Sequence, residues 1–325
     1  MAAPWTLLHG GALGDLVLAI QLALRLPEVG ASGRLSVIAR ASPGDLSACH
    51  PSVRWRSSEG LGLHWLFGDH DDAPPAALRE VISDQRVLSF LGGTHTIAHH
   101  RLAELQPAVA CSVDPRPRDE ITRHIVEQWR VQIEQQGVLV PKCVHQRPAA
   151  RALGVPAALR ERGGALFAAL GVAQDAVVIH PGSGGRRKCW GLSHYLDVAR
   201  DLASSALGPA ETCFLVGPVE METWEPSVLE NIRRAFPLVT NPAPEDLTAV
   251  LAAARLLLGN DAGPAHLAAL LGTPTVTLFG ATSPHIWRPL GAGGAVIEGD
   301  PEAPGGDWGI EVERVSAAVR AVSRG

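Results

Sequence analysis

The sequence predicts an α/β protein built from two Rossmann-like, doubly wound domains in tandem. Three observations carry that expectation. Apolar strand-like runs alternate with amphipathic helical runs along most of the chain. A glycine turn separates the first strand from the first helix. The alternation lapses once, near the middle, and then restarts. A length of 325 residues also suits about two domains of roughly 150 residues each.

In the first half the pattern predicts strands at 5–9, 35–39, 87–90 and 108–113. The helices expected between and after them cover 15–26, 94–105 and 119–136. Pro141, Pro148 and Pro156 interrupt the stretch 138–160, which reads as a linker and divides the chain into domains 1–150 and 151–325. In the second half the expected strands are 176–180, 212–216, 255–259 and 275–279. The expected helices are 192–207, 220–235, 245–254, 263–271 and a terminal one at 312–322. Sheets of this type bind ligands at the carboxyl ends of their strands.

Composition narrows the function. A hydrophobic fraction of 46% with 19% charged residues is ordinary for a folded domain with a sizeable core. The formal charge of −5 argues against a nucleic-acid partner. No apolar run approaches the ~20 residues of a membrane span, and residues 1–9 lack the pattern of a signal peptide. Cys49, Cys111, Cys143, Cys189 and Cys213 form no CxxC pair, which suits free thiols in a cytoplasmic protein.

Three stretches carry chemistry. Gly10-Gly11-Ala12-Leu13-Gly14-Asp15 follows a strand and opens a helix, but its glycines do not have the GxGxxG spacing of a dinucleotide site. Asp15 suits either a helix N-cap or a general base at a cleft. The second stretch is His180-Pro181-Gly182-Ser183-Gly184-Gly185-Arg186-Arg187-Lys188-Cys189-Trp190, where small residues, a hydroxyl and three cations suit a diphosphate or simply a solvated basic loop. The third, Gly259-Asn260-Asp261-Ala262-Gly263-Pro264-Ala265-His266, opens an apolar helix with Pro264 in its first turn. His266 reads as a satisfied core histidine.

Other polar groups read as less specific. His95, His99 and His100 lack an adjacent glutamate or third ligand, so no metal site is expected. Asp69, Asp71 and Asp72 fall in a polar, proline-flanked loop. Arg116, Arg118, Arg123 and Arg130 suit an acidic acceptor or a solvated face.

Taken in order, these stretches resemble glycosyltransferase family 9, the bacterial heptosyltransferases of lipopolysaccharide core synthesis. The resemblance rests on Gly14-Asp15, on His180–Ser183 with Lys188 and Trp190, and on residues 259–280. The last of these runs Gly-Asn-Asp-x-Gly-Pro-x-His, Gly-Thr-Pro-Thr and Leu278-Phe279-Gly280. It covers 175–291 strongly but only the first ~25 residues of the N-terminal half.

The resemblance implies a GT-B architecture, with two domains facing a central cleft, the acceptor on the first and the nucleotide sugar on the second. It implies inverting transfer without metal or other cofactor, from a nucleotide-sugar donor (an ADP-sugar favoured) to a glycan or glycolipid acceptor. The expected setting is cytoplasmic, at the inner face of the inner membrane. By position, Asp15 resembles the general base, and Ser183 and Lys188 the diphosphate pair. Asp261 resembles the contact to the donor sugar, Ala262 stands at a phosphate-contact position, and Gly263 resembles the backbone donor to phosphate. Glu220, or alternatively Glu222, resembles the ribose contact. The terminal helix is expected to pack back toward the first domain, as in similar proteins. The chain departs from the family at Ala262, where Ser or Thr is usual, at Ala12 in place of Ser, and at Gly191 in place of Pro. A hexosyltransferase on the same scaffold and a catalytically silent sugar-nucleotide-binding protein are the competing readings, with a nicotinamide-dependent dehydrogenase third.

Overall fold

The computed structural model describes residues 3–26, 29, 33–68, 72–117, 123–141, 153–204, 211–291, 293–303 and 307–324. Asp69, Asp71, Arg118, Asp119, Cys143 and Pro148 lie outside them. The chain divides into two compact units, Met1–His145 and Gln146–Gly325.

Unit 1 contains strands β1 (Trp5–His9), β2 (Leu35–Ala39), β3 (Val53–Ser57), β4 (Arg86–Ser89) and β5 (Val109–Ser112) in one parallel sheet, ordered β3-β2-β1-β4-β5. Its α-helices are α1 (Leu13–Ala23), α2 (Leu46–Cys49), α3 (Ala76–Ile82), α4 (Ile97–Glu104) and α5 (Ile125–Glu134). β1 is buried at all five positions, and α1 buries Leu16, Val17, Leu18, Ala19 and Ile20. Such near-continuous apolar runs are what a sheet covered on both faces requires.

The outer edge of β5 is covered by side chains. Gln136 accepts from Ser112 N at 2.9 Å and donates to Ser112 O at 2.9 Å. Gln132, one helical turn earlier, treats Asp114 in the same way, at 2.9 and 3.2 Å. Residues four apart share a helix face while residues two apart share a strand edge, so the two periodicities coincide here.

Unit 2 contains β6 (Val177–His180), β7 (Thr212–Val216), β8 (Leu238–Thr240), β9 (Leu256–Asn260), β10 (Thr275–Phe279) and β11 (Gly294–Glu298), all paired in parallel in the order β11-β10-β9-β6-β7-β8. Its helices are α6 (Ala157–Ala169), α7 (Leu192–Ala203), α8 (Pro218–Thr223), α9 (Pro226–Ala235), α10 (Pro244–Ala253), α11 (Gly263–Leu271), α12 (Pro284–Trp287) and α13 (Val312–Val322). The order reverses between β6 and β9, which opens a crevice at their carboxyl ends. Helix α6 meets α10 through Gly163, where a Cβ would stand 2.1 Å from Ala249 O. The terminal helix α13 packs on α7, burying Val315 and Val319, with Arg320 paired to Asp201 at 2.7 Å.

Several elements differ from the sequence pattern. The stretch 220–235 is two helices, because Pro226 restarts the second as its first-turn residue. The end of the expected linker belongs to α6, which starts at Ala157 behind Pro156. Helix α5 begins at Ile125, behind the capping ring nitrogen of His124. Strands β3, β8 and β11 had no strong periodic signal: β3 exposes Arg54, Trp55 and Arg56 at the sheet edge, and β11 is mostly exposed.

Candidate functional site

In unit 2 the loop after β6 and the turn after β9 meet at the reversal point of the sheet. Asn260, the last residue of β9, is fully buried and organises the junction. Its Oδ1 accepts from Trp190 N at 3.0 Å and from the Tyr195 hydroxyl at 2.8 Å. Its Nδ2 donates to Pro181 O at 2.8 Å and to Gly182 O at 3.3 Å. Both ends of the loop 181–190 are thereby fixed to one side chain. Gly259 is required beside it, since a Cβ there would lie 2.8 Å from His180 O.

Asp261 is the centre of the charged cluster. Lys188 Nζ lies 3.2 Å from its Oδ2, and the Thr282 hydroxyl donates to the same oxygen at 2.8 Å. His266 Nε2 lies 3.3 Å from Oδ1, and the Ser183 hydroxyl donates to the Asp261 carbonyl at 3.0 Å. Burial alone would raise the Asp261 carboxyl. The hydrogen bond and charge of His266, with Lys188 and Thr282, outweigh it and hold the group below its ordinary value. Lys188 keeps 41% of its side chain exposed, so its ammonium reaches both the carboxylate and solvent.

The next residues open α11. Ala262 is the N-cap and offers no side-chain hydrogen bond, Gly263 is the first helical residue and Pro264 follows. The helix is buried from Ala265 to Leu271 and closes on left-handed Gly272, at φ 84°. The Gly263 N–H and the positive end of the helix dipole are thus presented at Asp261 with no side-chain cap, while Pro264 has no N–H and Ala265 N is taken by Ala262 O at 3.0 Å. An anion with oxygen acceptors is the natural complement of this arrangement.

Glu220 stands apart from Glu222. It is buried at the third position of α8, and its Oε2 accepts from Gly217 N at 2.8 Å. Its other oxygen lies under Gly182, where a Cβ would be only 1.8 Å away. Glu222 is exposed. The sequence pattern left both open; only Glu220 reaches the loop that follows β6.

In unit 1, Asp15 is the third residue of α1. The N-cap position is Ala12, so of the two readings of Asp15 the structure does not give the N-cap one. The preceding turn folds onto His9, whose Nδ1 accepts from Gly11 N at 3.1 Å. Burial lowers His9 from 6.5 to about 4, so the ring is neutral and its lone pair is available for that bond. Gly11 is confined between the two functional groups: a Cβ would approach His9 Cε1 to 2.9 Å and Asp15 Oδ2 to 3.3 Å.

The structure therefore assembles Ser183, Lys188, Asp261, Ala262 and Gly263 in one place, with Glu220 at the adjoining loop. Sequence reasoning missed Asn260, Tyr195 and Thr282; His266, read as a satisfied core histidine, is buried and has Asp261 as its partner. The usable signal was a lone asparagine ending an all-apolar strand, which must find partners when buried. Arg130 is not offered to an acceptor: it is buried and paired with Glu127 at 2.6 Å and with Glu134. Arg116 is held by Asp114 at 3.2 Å. Among the described residues no group of three or more His, Cys, Asp or Glu is placed to hold a metal ion.

The family model of glycosyltransferase family 9 (heptosyltransferase) matches residues 93–304. Lipopolysaccharide heptosyltransferase 3 of Escherichia coli is 33% identical over 125 residues, which span 37% of this chain and 35% of that protein. The chain is thus matched over about a third of that relative's length. Among solved structures, E. coli ADP-heptose LPS heptosyltransferase II has a TM-score of 0.70 at 18% identity, covering 99% of this chain and 98% of the other. E. coli heptosyltransferase WaaC with ADP has a TM-score of 0.66 at 16% identity, covering 98% and 99%. These structural likenesses carry the fold.

Proposed function

Since the chain belongs to glycosyltransferase family 9, we propose that it transfers a sugar, heptose from ADP-heptose, to a hydroxyl of a lipopolysaccharide-type or related surface-glycan acceptor. The transfer inverts the anomeric centre and uses no metal. The observation that carries this reading is the Asp261 cluster at the uncapped start of α11, with Lys188 3.2 Å from the carboxylate.

In this reading the donor diphosphate lies against Lys188, Ser183 and the Gly263 N–H, Asp261 meets the donor sugar, and Glu220 meets the ribose. Asp15 removes the acceptor hydroxyl proton as the oxygen bonds to the anomeric carbon. The bond from that carbon to the diphosphate breaks, and the ammonium and helix end stabilise the charge that develops on the leaving group. This fixed positive set takes the role a divalent cation would otherwise have. The acceptor would be met at the cytoplasmic face of the inner membrane; among the described residues no helix is long and apolar enough to cross one. Ala262 removes one hydroxyl from the phosphate site, the specific feature favouring the second reading, a hexose donor with another base.

The test is calorimetric titration of ADP, UDP and GDP in the presence of EDTA, with sugar transfer assayed in parallel. ADP is expected to bind best, and Lys188→Ala to weaken it about tenfold or more, as loss of a charged contact would. A preference for UDP or GDP would move the donor assignment to a hexose. Unchanged affinity and turnover in Lys188→Ala would overturn the diphosphate site.

A further inference from the structure

Strand β1 ends in a buried imidazole. Residues Trp5–His9 are buried at every position, and His9 itself is 1% exposed. A leucine would fill such a place with no polar group to satisfy, whereas a buried imidazole needs partners. Nδ1 of His9 accepts from Gly11 N at 3.1 Å. That bond requires an unprotonated Nδ1, so the neutral ring carries its proton on Nε2. Burial, which lowers the ring to about 4, keeps it in this form at neutral pH.

The ring is held from its other side as well. Phe90, just past β4, packs on it with ring centroids 5.6 Å apart, and meets Trp129 of α5 edge-on at 4.9 Å. Trp129 in turn donates from Nε1 to Pro115 O at 3.2 Å. All three rings are buried. The imidazole is thus the last member of an aromatic row anchored on α5, with its lone pair aimed at the turn that leads into α1.

Asp15 leans over that same turn. Helical side chains tilt toward the helix N-terminus, and Asp15, at the third position of α1, reaches back to Gly11. A Cβ on Gly11 would lie 2.9 Å from His9 Cε1, 3.6 Å from His9 Nδ1 and 3.3 Å from Asp15 Oδ2. Ring and carboxylate therefore flank one backbone position. Gly10 gives the turn little slack, since a Cβ there would be 3.3 Å from Leu91 Cδ2. Without Nδ1 the Gly11 N–H must turn toward another acceptor, and the carboxylate loses its fixed seat.

We propose that His9 is a positioning residue for the general base: its Nδ1 pins Gly11 and so sets the place of the Asp15 carboxylate, without touching substrate. The proposal rests on the reading of Asp15 as the base and adds a residue that acts only through it.

Leucine and asparagine at position 9 test it on the full chain. Leucine keeps the bulk and removes the acceptor, whereas the Oδ1 of asparagine can stand where Nδ1 stands. Transfer from ADP-heptose to heptose-deficient lipopolysaccharide is followed beside the NMR signals of the Gly11 amide and the Asp15 carboxyl carbon. His9→Leu should lower kcat about tenfold or more, since misplacing a reacting group by ~1 Å can cost ~10²-fold. Its KM for ADP-heptose and its ADP affinity should stay at wild-type values, because the lost interaction serves the chemical step alone. Both NMR signals should shift in His9→Leu, and His9→Asn should restore them together with kcat. Should His9→Leu fail to fold, His9→Gln replaces it, its amide standing one bond beyond the Nδ1 position. Wild-type kcat in His9→Leu, unmoved NMR signals, or an asparagine variant as impaired as the leucine one would overturn the proposal. If Asp15→Asn keeps its transfer rate, the base reading falls and takes the proposal with it. If the wild type transfers no heptose, the donor or acceptor assignment is wrong, and the two NMR signals still decide whether His9 places the Asp15 carboxylate.

Discussion

The Tyr195 hydroxyl donates to Asn260 Oδ1 at 2.8 Å beneath the β6–β9 crevice, on the same oxygen that accepts from Trp190 N. Asn260→Leu would leave that hydroxyl, the Trp190 N–H and the Pro181 carbonyl without their partner. We expect a loss of about 3 kcal/mol or more, since each stranded buried group costs ~1–3 kcal/mol. Tyr195→Phe should cost only about 1 kcal/mol. Urea denaturation measures both; a change below ~1 kcal/mol in Asn260→Leu would show that the loop does not depend on this side chain.

Asp15→Asn separates a catalytic carboxylate from a structural one. Ala12 caps α1, and Asp15 sits at its third position, so an isosteric amide preserves size and local packing. Turnover should fall about 10²–10⁴-fold, the usual worth of a general base. Melting temperature and ADP affinity should stay at wild-type values. Transfer at near-wild-type rate would remove Asp15 from the proposed mechanism.

The neutral His9 makes unit 1 acid-sensitive. Its folded-state value is lowered from 6.5 to about 4, so the unfolded chain takes up a proton first as pH falls. The stability this group contributes is complete above pH 6.5 and is lost progressively as pH falls toward 4, by about 3 kcal/mol in all. Denaturation midpoints at pH 7.5, 5.5 and 4.5 should decline in that order. The decline between 7.5 and 5.5 should shrink in His9→Gln, after allowing for its lower starting stability.

Two adjacent glycines of α6 should respond oppositely to alanine. At Gly163 a Cβ would meet Ala249 O at 2.1 Å and Ala253 Cβ at 2.6 Å, so α6 and α10 would have to part. That overpacking costs about 1–3 kcal/mol and outweighs the better helix propensity of alanine. At Gly164 the nearest atoms are the flexible Gln174 side chain at 3.7 Å, so Gly164→Ala should stabilise by about 0.5–1 kcal/mol. Thermal unfolding of the two variants checks the sign of each.

The parallel core was legible because strands such as Leu256–Asn260 are buried at every position and read as apolar runs. Edge strand β3 was not, since Arg54, Trp55 and Arg56 face solvent and erase the pattern. The break at Pro226 was hidden by apolar spacing that continues on both sides of it. At the site, the glycines and Lys188 could be read from local spacing and resemblance. The partners of Asn260 lie up to 79 residues away in the chain and emerge only when β6 and β9 become neighbours.

Gln132 and Gln136 also bear on how the protein avoids its own copies. A bare terminal strand is a template on which another chain can add and propagate an intermolecular sheet. At the end of β5 and just beyond it, the N–H and C=O of Ser112 and Asp114 are already engaged by two carboxamides that imitate the missing neighbour. Because those carboxamides ride on α5 and the turn that ends it, the protection exists only once that helix has docked. A nascent chain that has made β5 but not yet residues 125–136 carries an open, self-associating edge, and completion of α5 closes it.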